Sequence, residues 1–276
     1  MSTSTRRPDR TTMEGMIWNA NHVLDSALDP NKNGVPRSLF EKAVGIILIS
    51  VIEGGFIFSG NVGTGIILAK KDDGTGWSPP CAMGLTGVGW GFIAGLSMKD
   101  VMVFILDDST MQSVAGDVGI KFSGQGEATA GPFGRSAEVG VALSNSGAGG
   151  TVSVAFSKGA FGGISIEGAL CAPRTAVNKN FYNDPNISAQ QILFQNESVN
   201  LPSDNTLMPE IYKKLNLLAK GETVAEPTEE EKEKVSAMFD EAEKKGEEVA
   251  AKAEEHDVVK VDIAEEAEKE AAAAKE

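Results

Sequence analysis

The sequence has few of the residues that most enzyme active sites require. Its 276 residues include only two histidines, His22 and His256, and two cysteines. It contains no P-loop and no G-x-S-x-G motif, and its histidines and cysteines do not have the spacing of a zinc site. Paired acids occur at predicted turns or helix caps. We therefore expect no catalytic residue, metal or cofactor, and we predict that the protein is not an enzyme.

Long apolar segments are also missing. Residues 44–52 form the most apolar run, and its nine residues fall short of the ~20 that cross a bilayer. The N-terminus has no apolar run typical of a signal peptide. Cys81 and Cys171 lie far apart in apolar contexts, where buried, reduced thiols are expected. These features predict a soluble, cytoplasmic protein.

Positive charge is scarce and unevenly distributed. Residues 1–220 carry 17 Lys+Arg and 19 Asp+Glu, a net charge of −2, whereas residues 221–276 carry 8 and 20, a net charge of −12, which together give −14. Nucleic acid is a disfavoured partner because it requires a concentrated basic face. We predict a disordered N-terminus over residues 1–10, one domain over 11–220, and an acidic, helical or partly disordered tail over 221–276.

Apolar residues at helical spacing predict an amphipathic α-helix over residues 13–28, with a capping box formed by Thr11 and Glu14. Two interpretations stay open. The helix packs on the core of its own domain, or it lies on a membrane surface with the upstream arginines against head groups. Shorter helices are predicted over residues 36–43, 109–115, 188–194 and 209–219.

Between Gly54 and Gly168 the sequence contains 26 of its 31 glycines, which separate short apolar runs. This pattern predicts a strongly curved antiparallel sheet. The predicted fold class is α+β and mostly β: a curved, glycine-rich sheet or barrel-like domain with an N-terminal amphipathic helix and C-terminal helices.

The acidic tail contains its own helix signals. Thr228 and Glu231 have capping-box spacing, and a short apolar stripe follows at helical spacing: Val235, Met238, Phe239 and Ala242. The tail is either a solvated, partly ordered segment or a docking strip for a protein partner.

Several cations lie among the glycines. Lys70 and Lys71 end a predicted strand, whereas Arg135 and Lys158 lie in glycine turns whose backbone amides could help to hold an anion. The segment that follows Lys158 alternates as a half-buried strand does. Its glycines either form part of a binding site or let a strand bend and pack. We predict that Arg135 and Lys158 contact one anionic head group.

Residues 34–194 resemble the SYLF domain, also called the yeast-type actin-binding or DUF500 domain. The resemblance rests on five ordered segments: residues 35–47, 55–60 (GFIFSG), 76–80 (GWSPP), 130–138 (AGPFGRSAE) and 157–168 (SKGAFGGISIEG). Asn61 departs from the family pattern, which often has arginine at this position.

This resemblance implies one β-rich domain that binds phosphoinositide membranes and, in fungal members, actin filaments at endocytic sites. The first hypothesis is a peripheral, non-enzymatic phosphoinositide-binding module in trafficking or endocytosis. Its candidate lipid contacts, including the α-helix that would insert, are Arg6, Arg7, Arg10, Ile17, Leu24, Lys70, Lys71, Arg135 and Lys158. The alternative is an actin-binding adaptor whose acidic tail recruits a partner.

Overall fold

The structure is a computed structural model. It describes residues 8–28, 35, 37–55, 58–71, 74, 76–90, 95–116, 119–123, 127–128, 135–144, 147–157, 169–195, 199–203 and 205–220. The helices in this part are α1 (Met13–Leu28), α2 (Arg37–Lys42), α3 (Asp108–Val114), α4 (Thr175–Tyr182), α5 (Ala189–Phe194) and α6 (Leu207–Lys220). The strands are β1 (Gly45–Gly55), β2 (Phe58–Ala69), β3 (Cys81–Trp90), β4 (Gly95–Ile105), β5 (Ile120–Ser123), β6 (Glu127–Ala128), β7 (Arg135–Ser144), β8 (Gly147–Ser157) and β9 (Leu170–Pro173).

All the strand pairs in the described part are antiparallel, in the order β5-β9-β3-β2-β1-β4-β8-β7-β6. Strand β5 pairs with β9 on one side and with β7 on the other. The sheet therefore curls until its two ends meet, which gives it an inner and an outer face. The predicted fold class is confirmed.

Both faces of the central strands are buried. Ile46 and Leu48 of β1 pack in an outer core with the helices α1, α2 and α6. Ile47 and Ile49 face the other way, into an inner core that α3 and α5 complete. Since successive side chains of a strand point to opposite faces, a strand buried on both faces is apolar at every position. This explains the continuous apolar run in residues 46–49.

Helix α1 lies against the outer face of the sheet. Ile17 and Leu24 are 0% exposed there, so packing on the domain's own core is confirmed for this conformation. The helix has the predicted bounds, but its cap lies one residue later than predicted, because the Thr12 hydroxyl, not that of Thr11, accepts the hydrogen bond of the Gly15 amide at 3.2 Å. A Cβ at Gly15 would lie 1.8 Å from the Asp9 carbonyl oxygen, so the chain entering α1 requires glycine here.

Helix α6 lies beside α1 and is joined to it by one partly buried cation. The ammonium group of Lys214 donates to Asn21 at 2.9 Å, to the Asp25 carboxylate, and to Glu210 at 2.9 Å. These hydrogen bonds raise the pKa of Lys214 despite the opposing effect of burial. They also hold the pKa of Glu210 below its ordinary value. The two C-terminal predicted helices are therefore part of the domain: α5 starts at the Ser188 capping box, and α6 covers the outer core.

Candidate interaction surface

One row of outward-facing residues crosses five neighbouring strands at the end of the sheet where α1 begins. Strand pairing aligns Leu170 with Thr86, Thr86 with Val62, Val62 with Ile52 and Ile52 with Met98. Residues paired in this way lie about 5 Å apart on one face of the sheet. Four of the five are apolar, and they come from parts of the chain that are far apart in sequence.

This row is an exposed part of the outer face. Val62 is 61% exposed, Leu170 42% and Met98 37%; Thr86 is also exposed, and Ile52 is partly buried. Farther along β1 and β2, the outward residues are covered by α1 and are fully buried. The row is therefore where the helical layer ends and apolar sheet surface meets solvent.

Curvature limits how much of the row one partner can contact. Because the sheet closes on itself, residues at opposite ends of the row face in different directions. Val62 is central, with Thr86 on one side and Ile52 followed by Met98 on the other. We call these four residues, together with Arg10 and Arg174 beside them, the Val62 patch.

Two arginines border the apolar centre of the Val62 patch. The Arg10 guanidinium lies 3.8 Å from the Met98 sulfur. On the other side, Arg174 lies over Gly84, the outward position before Thr86, and it donates to the Thr11 carbonyl oxygen at 3.0 Å. The nearby Asp9 carboxylate accepts hydrogen bonds from the amide and hydroxyl of Thr11; these bonds and the charge of Arg174 lower its pKa. Among the residues that the structure describes, Arg10, Arg174 and Asp9 are thus charged groups at the border of the patch.

Buried polar groups support the sheet next to the patch. Ser50 precedes Ile52 by two residues in β1 and faces the same side of the sheet. Its hydroxyl donates to the Asp100 carboxylate at 2.5 Å, and both residues are buried. Asn61, by contrast, is adjacent to Val62 in β2, so its side chain faces the inner side of the sheet, where it is 6% exposed. The space there is small, because a Cβ at Gly87 would lie 2.4 Å from the side-chain oxygen of Asn61. The departure at position 61 therefore falls on the crowded inner face and does not change the charge of the outer surface.

The predicted lipid contacts do not form one described cluster. Lys70 donates to the Phe40 and Glu41 carbonyl oxygens at 3.2 and 3.0 Å, which stabilises the C-terminal end of α2. Lys71 is exposed beside it, but about 27 Å of strand separates this end of β2 from Val62. Contact of Ile17 or Leu24 with lipid would require α1 to leave the sheet.

The other predicted cations belong to the end of the sheet where the Val62 patch lies, or lie outside the described residues. Arg135 begins β7 and pairs through Phe156 of β8 with Asp100 of β4, which places its backbone near that end. Arg6, Arg7 and Lys158 lie outside the described residues, as does most of the 157–168 segment. The grouping of Arg135 with Lys158 stays a prediction.

The Val62 patch was not predicted from the sequence. Its residues become neighbours only through strand register, which connects positions as distant as Val62 and Leu170. The local sequence signal is weak: Val62 is an apolar residue between Gly60 and Gly63, next to an inward-facing asparagine. Arg174 follows Pro173 at the end of β9, and the sequence predicts for it only a solvated surface charge.

The described residues show no group of metal-ligating side chains. Cys81 and Cys171 are free and 0% exposed, and burial raises the pKa of each thiol to about 12. Asn178 donates to the Cys81 sulfur at 3.2 Å and accepts from the Ala82 amide at 2.7 Å, which ties α4 to β3. None of the described helices has the length and apolarity needed to cross a bilayer.

Comparison with known proteins identifies the family. Residues 86–216, from β3 to α6, match the family model Ysc84, whose description is "Las17-binding protein actin regulator". The chain contains a Ysc84 (SYLF) domain. The resemblance inferred from the sequence motifs is thereby confirmed.

Relatives of this SYLF chain come from fungi and animals. It is 34% identical over 176 residues to Protein YSC84 of Saccharomyces cerevisiae, covering 62% of this chain and 37% of the relative. It is 36% identical over 177 residues to LAS seventeen-binding protein 3 of the same species, covering 62% and 38%. SH3 domain-containing YSC84-like protein 1 of Mus musculus is 35% identical over 160 residues, covering 58% and 46%.

The SYLF chain thus spans less than half the length of these three relatives. No solved structure matches it significantly.

Proposed function

We propose that this protein is a non-enzymatic adaptor in actin regulation that acts by binding protein partners. The match of residues 86–216 to a family described as an actin regulator carries the proposal. The name of one relative, LAS seventeen-binding protein 3, supports protein binding as the mode of action. In this proposal residues 11–220 form the binding domain, and the acidic tail over 221–276 recruits a further partner.

The described surface supports binding. The central strands are buried on both faces over much of their length, but the Val62 patch is uncovered, with Val62 more than half exposed. Apolar surface bordered by polar and charged groups is typical of sites of association. The cations Arg10 and Arg174 at its edges suit an acidic partner, and electrostatic attraction of this kind increases the rate of encounter.

Co-sedimentation of the full chain with purified actin filaments tests the adaptor function. We expect the pelleted fraction to rise with filament concentration and to saturate. A protein of similar size and net charge that is known not to bind actin serves as the control. Enrichment no greater than that of the control, over the whole range of filament concentration, would count against actin as the direct partner.

A second candidate function is peripheral binding to phosphoinositide membranes in trafficking or endocytosis. It is favoured by the two arginines that border an exposed apolar patch, because such a surface suits anionic head groups. The sequence adds Arg6 and Arg7 shortly before Arg10. In this proposal α1 stays packed on the sheet, and Ile17 and Leu24 do not insert.

Flotation with vesicles of neutral lipid, with and without a phosphoinositide, tests the second function. We expect binding only to the phosphoinositide vesicles, and weaker binding by the Arg10→Gln variant. Lys71→Gln, which removes a cation at the far end of β2, is the matched control and should bind as the wild type does. Equal and negligible flotation with both vesicles would exclude this function.

A further inference from the structure

We propose that residues 228–245 of this chain form a helix that docks on the Val62 patch. This inference goes beyond the adaptor function, because it assigns an intramolecular occupant to a surface that a partner could otherwise use. The segment lies outside the described residues; its amino-acid sequence and the surface that it would cover support the docking.

The helix layer on the outer face of the sheet does not extend over the Val62 patch. On the same outer face, α1 covers the apolar residues of β1 and β2 as far as Leu48 and Ile66. The outward position of β1 beyond Ser50 is Ile52, and Val62 pairs with it. A second amphipathic helix beyond the start of α1 would continue the layer and remove apolar surface from water, which is the main driving force for packing a helix on a sheet.

The dimensions of the segment fit the centre of the patch. The stripe that begins at Val235 and ends at Ala242 has the i, i+3, i+4, i+7 spacing of one helical face, and it is about 10 Å long. Ile52, Val62 and Thr86 lie on three adjacent strands, and this distance across the sheet is also about 10 Å. The four apolar side chains of the stripe can thus cover the three central positions.

The charges are complementary. Residues 221–276 carry 8 Lys+Arg and 20 Asp+Glu, and three consecutive glutamates, residues 229–231, precede the apolar stripe. Arg10 lies on the Met98 side of the patch and Arg174 on its Thr86 side, with the Asp9 carboxylate near Arg174. Opposite charges at the edge of an apolar contact favour one orientation and speed association.

The tail can reach the patch. Glu210 contacts Asn21 of α1, and Lys214, one turn later in α6, also contacts Asp25, one turn later in α1. Helix α6 therefore runs in the same direction as α1. The tail therefore leaves α6 near the C-terminal end of α1, about 24 Å from the start of α1. Residues 221–227 span at most about 24 Å when extended. Because the segment is covalently attached, its effective concentration at the patch is high, on the order of millimolar.

Residues 1–7 are a weaker occupant, although they precede Arg10 directly. Their only large apolar residue is Met1, so they offer little surface to cover Val62 and Ile52. A second copy of the chain and an anionic membrane are the other occupants, and the experiment distinguishes them.

The test measures the reactivity of a thiol placed in the patch of the full chain. Thr86→Cys introduces an exposed thiol and leaves the apolar residues intact. Cys81 and Cys171 give little background, because both are fully buried and their pKa values are raised to about 12. The rate of maleimide labelling is compared in Thr86→Cys alone and in Thr86→Cys combined with Met238→Asp and Phe239→Asp.

If the helix is docked nine-tenths of the time, the thiol of Thr86→Cys is accessible for one-tenth of the time. Labelling should then be slow, and it should become about tenfold faster when the two aspartates displace the segment. Val62→Asp, combined with Thr86→Cys, should increase the rate similarly. Gln190→Cys is the control, since Gln190 is exposed on α5 and bonds to Gln112 of α3 at the other end of the sheet. Its labelling rate should not change with the tail substitutions.

Three results would overturn the proposal. The first is an equal labelling rate with and without the tail substitutions. The second is protection of Thr86→Cys that grows with protein concentration, which would make a second copy the occupant. The third is protection that appears only when anionic vesicles are added, which would make a membrane the occupant.

Discussion

Substitution of Leu24 by alanine tests whether α1 is part of the folded core. Leu24 is 0% exposed and packs in the outer core between α1 and the sheet. Replacing a fully buried leucine by alanine costs about 2–5 kcal/mol, through lost burial and the cavity that remains. If α1 were not packed on the sheet in solution and served only for membrane insertion, it would contribute little to the free energy of unfolding. The same substitution would then have a small effect.

Urea denaturation of the full chain, followed by circular dichroism, measures this cost. With a slope of about 2 kcal/mol per molar urea, the midpoint should fall by roughly 1–2 M at unchanged slope. Glu14→Gln, at an exposed position of the same helix, is the control and should change stability by less than about 0.5 kcal/mol. A Leu24→Ala midpoint as close to the wild type as that of the control would refute the packing of α1 described here.

Three further predictions concern Asn178, the two cysteines, and the contact between Lys214 and Glu210. Asn178→Ala should destabilise the domain by about 1–3 kcal/mol, because the buried Ala82 amide loses its acceptor; thermal unfolding measures this. Neither native cysteine should react with a thiol reagent until the protein unfolds, and rapid labelling of the folded wild type at neutral pH would contradict their burial. Because Lys214 lowers the pKa of Glu210, this carboxylate contributes stability above its ordinary pKa that is lost as pH falls through the lowered value. Lys214→Met should reduce that loss in acid titrations of stability.

Local signals predicted most of the helices. In α3, the first of the two paired acids before the predicted helix, Asp107, provides the cap by accepting the hydrogen bond of the Thr110 amide at 2.8 Å. The Ser188 capping box starts α5. Both motifs involve residues a few positions apart, so the sequence contains the complete information. The prediction for α1 missed only which of two adjacent threonines provides the cap. Helix α4 was not predicted, because its apolar residues contact β3 and α1 without a clear helical stripe.

The interaction surface could not be predicted in the same way. Strand β3 alternates glycine with larger residues, and its outward Thr86 becomes part of a patch only by pairing with Val62 and Leu170. Lys70 was predicted to contact an anion, yet it binds the carbonyl oxygens of α2. Both outcomes depend on contacts between elements that are distant in the chain, and one sequence does not specify the register that creates them.

We propose that the folded SYLF domain, with α1 in place, binds actin through its outer surface. Amide hydrogen exchange of the full chain, with and without saturating actin filaments, tests it most directly. We predict slower exchange in peptides of the outer surface, with α1 and β1 equally protected in both states. Exchange that filaments leave unchanged throughout the chain, or α1 amides that lose protection when filaments are added, would contradict it.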